Sequence, residues 1–117
     1  MTQMVIVTKT YDREFDVPLV APEGTILEVI RRNNGIYADW FICRSNQGIE
    51  AYVPEKLLDI QGNNGKLLAD YSSWELTVKL DEILERLHEI GGWIWAKNSE
   101  GEFGWVPSIN VKDYGSN

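Results

Sequence analysis

One segment of this chain occurs twice, and that constrains its fold more than any other feature. WFICRSNQGIEAYVPEKLL, starting at Trp40, lies against WIWAKNSEGEFGWVPSINV, starting at Trp93, over nineteen positions without a gap. At a constant offset of 53, Trp40 meets Trp93, Arg44 meets Lys97, Gly48 meets Gly101, Tyr52 meets Trp105, and Val53-Pro54 meets Val106-Pro107. Such self-similarity means that one supersecondary unit is used twice. Upstream the likeness continues with altered loop lengths: 18–21 and 24–29 lie against 75–78 and 81–86, and 7–11 lies against 67–71. The polar, breaker-rich stretch Gln61-Gly62-Asn63-Asn64-Gly65 reads as the joint between copies. The expectation is therefore two small domains, 1–60 and 66–117, with 61–65 as the linker.

Within each copy the local signals are those of short strands. Trp40-Phe41-Ile42-Cys43 and Trp93-Ile94-Trp95-Ala96 are aromatic or β-branched runs bounded by turn residues. Asn46-Gln47-Gly48 and Asn98-Ser99-Glu100-Gly101 carry hairpin chemistry, Tyr52-Val53 and Trp105-Val106 return as second arms, and Pro54 and Pro107 end the ladder for want of a donor. The stretch 72–92 permits two readings. Leu76, Leu80, Ile83, Leu84, Leu87 and Ile90 share a helical face, Ser72 with Glu75 resembles a capping box, and Gly91-Gly92 can end a helix. Its counterpart holds Pro18, Pro22 and Gly24, which suit a helix badly, so consistency between copies favours strands over 75–90. Leu76, Val78, Ile83 and Ala96 are expected in the core, with Cys43 at the position matching Ala96. Trp95 and Trp105 fall on the alternate phase and are expected to pack, Trp105 with partial exposure.

The second copy resembles an SH3 domain. Leu67-Leu68-Ala69-Asp70-Tyr71 resembles the ALYDY motif, Glu75-Leu76-Thr77-Val78 resembles ELSF, and Asp81-Glu82-Ile83-Leu84 resembles the segment opened by Gly-Asp. Gly92-Trp93-Ile94-Trp95-Ala96-Lys97 resembles the tryptophan pair, and Gly101-Glu102-Phe103-Gly104-Trp105-Val106-Pro107-Ser108 resembles the closing G-x-x-G-x-V-P-S. The first copy is a more diverged relative. This resemblance implies an all-β fold of two tandem five-stranded SH3-like barrels, and a protein-binding function, commonly toward Pro-rich segments in the polyproline II conformation. Carried over by position, Tyr71, Trp93 and Pro107 line one partner site, with Trp74 and Glu75 beside it, and Tyr11, Trp40 and Pro54 form a second patch. Two further aromatic walls of the family are replaced in each copy, by Ala69 and Asn110 in one and by Lys9 and Leu57 in the other. The acidic loop of the second copy is short, with only Ser72-Ser73-Trp74 ahead of Glu75.

Charge narrows the partners. Eleven Lys and Arg against eighteen Asp and Glu give a net charge of -7, which disfavours nucleic acid, whose phosphates require cationic side chains. No apolar run is long enough to span a bilayer, and the amino terminus lacks the pattern of a signal peptide. A lone Cys43 and a lone His88 build no disulfide or metal site, so a reducing, cytoplasmic setting without cofactors is expected. His88 lies in a charged stretch and reads as a surface residue. No nucleophile, acid–base pair or phosphate-cradling loop stands out, so an enzyme is not expected. A free-standing interaction module of bacterial type is the first reading. The alternative is an acidic immunity or inhibitor protein that neutralises a basic toxin or enzyme.

Overall fold

A computed structural model describes residues 2–115 of the chain. Twelve strands follow in order: β1 (Gln3–Val7), β2 (Val20–Ala21), β3 (Ile26–Arg32), β4 (Trp40–Arg44), β5 (Glu50–Pro54), β6 (Leu58–Gln61), β7 (Asn64–Leu67), β8 (Tyr71–Ser72), β9 (Ile83–Ile90), β10 (Trp93–Lys97), β11 (Phe103–Pro107) and β12 (Val111–Tyr114). Helical structure among the described residues is confined to three-residue 3-10 turns, two of which, Glu55–Leu57 and Ser108–Asn110, follow the matched prolines. The protein is all-β. The strands form two five-stranded antiparallel sheets, ordered β11-β10-β9-β1-β12 and β5-β4-β3-β7-β6, and a two-stranded pair β2-β8. Neither five-stranded sheet closes on itself.

The stretch 75–90 is extended, and its chemistry shows why the helical pattern loses. Asp81 adopts the left-handed region (φ 71°), a conformation that Asp tolerates but a helix interior does not contain. Beyond it, β9 is paired on both flanks, with β1 and β10, so its backbone groups are satisfied across the sheet. Leu84 is fully buried while Leu80 and Leu87 are exposed, so the leucines do not share one buried face. Ile83, expected in the core, is half-buried, and Leu84 takes that place.

The repeat is real, but the expected boundary between domains is not where the chain divides. One compact unit is Met1–Asp16 with Trp74–Asn117, and the other is Val17–Ser73. The tandem arrangement is therefore corrected to an insertion, with the second unit interrupting the first. Strand for strand the two sheet orders match: β5, β4, β3 and β6 correspond to β11, β10, β9 and β12. The remaining places are filled crosswise, since β1 from the first copy joins the second copy's strands and β7 from the second joins the first's. The supposed linker 61–65 explains this. Gln61 pairs with Asn64, leaving Gly62-Asn63 as a two-residue hairpin loop in which Gly62 takes positive φ (62°). So tight a turn seats β7 directly beside β6. With that place filled, β1 completes the other sheet.

Each unit has its own core. In the discontinuous unit it comprises Val5, Val7, Leu76, Val78, Leu84, Ile94, Ala96 and Val106, so residues from both sides of the insertion are packed together. In the inserted unit Leu19, Leu27, Cys43, Ala51, Val53, Leu58 and Leu67 are buried. Cys43 and Ala96 are both fully buried, as their matched positions imply. Burial in apolar surroundings pushes the Cys43 thiol up to about 12. The ends of the inserted unit are clasped: Leu19 N–H donates to Ser73 Oγ (2.8 Å) and Ser73 N–H donates to the Leu19 carbonyl (3.0 Å).

Candidate functional site

The exchange of strands regroups the expected contact residues. Tyr71 belongs to the inserted unit with Trp40 and Pro54, and Tyr11 belongs to the discontinuous unit with Trp93 and Pro107. The sets Tyr71/Trp93/Pro107 and Tyr11/Trp40/Pro54 are thus each divided between units, and their first members trade places.

In the inserted unit the regrouped residues are closed off. Tyr71 is 5% exposed, Trp40 3%, and Pro54 is buried opposite Trp40 across the β4–β5 ladder. The Tyr71 hydroxyl donates to the Tyr52 carbonyl at 2.7 Å, which satisfies its polar end. These residues serve packing.

The discontinuous unit builds a more open arrangement. Tyr11 and Trp93 are half-buried, whereas Pro107, directly opposite Trp93 across β10–β11, is buried like Pro54; Trp93 meets Tyr11 edge to face with ring centroids 5.5 Å apart and planes at 83°. Tyr11 is held in two ways. Its backbone bridges Val78 (N–H to carbonyl 3.1 Å and 2.8 Å in return), and its hydroxyl donates to Glu75 Oε1 at 2.7 Å. The same Glu75 oxygen accepts the Glu14 backbone N–H at 2.9 Å. Arg13 completes the connection, its N–H donating to Thr77 Oγ1 (3.1 Å), its Nε to the Glu75 carbonyl (2.9 Å), and its guanidinium lying 3.9 Å from the centroid of Trp74. Trp74, Arg13, Glu75, Tyr11, Trp93 and Pro107 therefore form one continuous chain of contacts.

Glu75 differs from the sequence expectation in its role. It is only 6% exposed, and its carboxylate faces inward onto Tyr11 and Glu14 rather than outward to a partner. Burial raises its pKa above the ordinary carboxyl value, with the Glu14 N–H and the Tyr11 hydroxyl pulling it back. Outward acidity comes instead from the loop after Tyr11. Asp12 and Asp16 are exposed and make no ion pair among the described residues. The short stretch 72–74 does not have to supply an acidic loop, because the exchange lays residues 11–14 along 74–78. Sequence reasoning missed Arg13, Asp12 and Asp16 for that reason. The brevity of 72–74 was the available signal.

The missing aromatic walls remain missing after regrouping. Asn110 is buried, and its amide donates to the carbonyls of Lys9 (3.1 Å) and Thr10 (3.0 Å), bracing the strand that leads into Tyr11. The Tyr11–Trp93 pair therefore stands without the two further rings that the family resemblance implies. A second aromatic group lies further along the sheet. Trp95 meets Trp105 across β10–β11 (5.1 Å) and stacks on Phe103 (6.4 Å, 17°), and His88, exposed, sets its ring against Trp105 (5.7 Å). Trp105 packs, as expected, and is buried without the partial exposure allowed for it.

Among the described residues no group of His, Cys, Asp or Glu is arranged to hold a metal ion, and no helix is long and apolar enough to cross a membrane. Comparison of the chain with protein-family models and with curated proteins returns no match.

Proposed function

We propose that this chain is a non-catalytic protein-interaction module in which each unit is a variant SH3-like barrel and the discontinuous unit carries the partner site. The observation that supports this reading most directly is the edge-to-face contact of Tyr11 with Trp93, with Tyr11 followed in the chain by the exposed residues Asp12 and Asp16. Edge-to-face rings leave an apolar notch that suits a rigid, already extended segment, because such a segment loses little conformational entropy on docking. Exposed carboxylates on the loop that follows Tyr11 favour a cationic side chain in the same ligand. Charge across the unit agrees: residues 1–16 and 74–117 hold eleven Asp and Glu against six Lys and Arg. A buried free thiol is compatible with a reducing, cytoplasmic setting.

The test uses a fluorescein-labelled Pro-rich peptide with two flanking arginines, titrated against the intact chain by fluorescence anisotropy. Trp93→Lys is expected to weaken binding at least about tenfold, as loss of an aromatic anchor does. Replacing the arginines of the peptide by alanine, or raising the salt, is expected to weaken it further. Equal affinity of the Trp93→Lys variant and the parent protein would refute this assignment of the site.

A further inference from the structure

The loop that carries Asp12 and Asp16 is not held by its own backbone alone. Between Tyr11 and the insertion the backbone and the Arg13 side chain are hydrogen-bonded to the segment 74–78 through the Tyr11–Val78 bridge, Arg13 N–H to Thr77, Arg13 Nε to the Glu75 carbonyl, and Glu14 N–H to the Glu75 carboxylate. The Glu75 oxygen that accepts the Glu14 N–H also accepts the Tyr11 hydroxyl. One buried atom therefore holds both the Tyr11 ring and the backbone of the acidic loop at Glu14, between Asp12 and Asp16.

We propose that Glu75 is a positioning residue for partner recognition, its carboxylate locking the acidic loop and the Tyr11 ring into one rigid surface; this rests on the function proposed above. The groups that face the carboxylate are Tyr11, Arg13 and Glu14 from the amino-terminal segment; Trp105 of β11, bridged to Glu75 through its backbone, adds no charge there. A carboxylate acceptor polarises an amide N–H more than a neutral carboxyl does, so the Glu14 amide reports the state of Glu75. Burial raises the pKa of Glu75, and the lock weakens as the pH falls through that raised value. A glutamine keeps the accepting oxygen and removes the titration. An alanine removes both.

The experiment is a pH titration followed by amide NMR on the intact chain, together with anisotropy on the arginine-flanked Pro-rich peptide, for the parent, Glu75→Gln and Glu75→Ala. The Glu14 amide proton of the parent is expected to titrate with a midpoint above that of an ordinary Glu and to be flat in Glu75→Gln. Peptide affinity is expected to stay within about threefold in Glu75→Gln and to fall about tenfold in Glu75→Ala, the scale of a lost charge-assisted hydrogen bond. A Glu14 titration that persists in Glu75→Gln, or is absent from the parent, overturns the proposal. Parental affinity in Glu75→Ala also overturns it. If Glu75→Ala does not fold, the glutamine comparison alone decides. If Trp93→Lys binds as the parent does while the Glu14 results hold, the partner site is misassigned and the lock itself stands. A parent that does not bind the peptide removes both.

Discussion

Replacing Leu27 by Asp should damage both units, whereas replacing Leu84 by Asp should damage one. Leu27 and Leu84 are fully buried at corresponding places in the two sheets, on β3 and β9. An unpaired carboxylate at such a site costs more than a unit of this size is expected to withstand. The consequences differ because of connectivity. The inserted unit is continuous, Val17–Ser73, and keeps all its strands when the other unit unfolds. The discontinuous unit must bring residues 1–16 back to residues 74–117 across 57 intervening positions. When the insertion is folded, the Leu19–Ser73 clasp shortens that path to about four residues. When it is unfolded, the full loop must close. The logarithmic dependence of closure entropy on length then gives a penalty of about 2.3 kcal/mol, or roughly fiftyfold in the opening equilibrium. Amide hydrogen exchange followed by NMR reads this directly. In Leu27→Asp the amides of β10 should lose roughly fiftyfold protection. In Leu84→Asp the amides of β4 should change by less than about threefold. Equal losses in both directions, or undiminished β10 protection in Leu27→Asp, would refute the reasoning.

Other expectations follow from single contacts. Asn110→Ala should lower stability to urea by about 1–3 kcal/mol, because it leaves the buried-side carbonyls of Lys9 and Thr10 without their donor. Gly104→Ala should be costly although the matched position is Ala51. A Cβ there would stand 2.9 Å from Leu76 Cγ and 3.0 Å from both the Leu76 nitrogen and the Trp74 carbonyl, so the melting temperature should fall and the Trp74 environment should shift in fluorescence. The Cys43 thiol should resist alkylation in the native protein and react once urea unfolds the inserted unit. Because its folded pKa is about 12, its contribution to stability is full below the unfolded thiol value and is lost as the pH rises toward 12. Glu75 is raised too, so its contribution is greatest below the ordinary carboxyl value and declines as the pH rises through the folded one. Glu75→Gln should flatten that part of the stability profile in urea titrations.

Much of the fold was legible because it is written in local chemistry. The offset of 53 holds in detail at the hairpin tips. Ser45 N–H donates to the Ile49 carbonyl and Gly48 N–H to Ser45. The same pair recurs as Asn98 to Glu102 and Gly101 to Asn98, with both glycines at positive φ (82° and 86°). The strand character of 83–90 was legible only through its counterpart, since Leu84, Leu87 and Ile90 taken alone fit a helix equally well. The ownership of the first strands was not legible in the same way. Val5-Ile6-Val7 and Gly65-Lys66-Leu67 both describe a strand edge that any half-buried sheet accepts, and alternation specifies a face, not a neighbour. The turn at Gly62-Asn63 made the choice, and it had been read as a linker because Gly and Asn serve both purposes. The proposed site follows the same exchange. Tyr11, Trp93 and Pro107 each stand out in the sequence, but their grouping depends on which strand joins which sheet. The burial of Glu75 depended on the fold of residues 12–14 and had no sequence signal of its own.

The crosswise placement of β1 and β7 has a consequence for how this chain can drift over generations. A change in Val5 or Val7 is felt by Leu76, Leu84 and Ile94, which lie in the more distant copy of the repeat, and not by Leu27 or Val53 in its own. Compensating substitutions in descendants should therefore link residues 1–16 with residues 74–117 and leave 17–73 free to vary by its own rules. The two copies share one strand order, but each depends for its integrity on a piece encoded in the other.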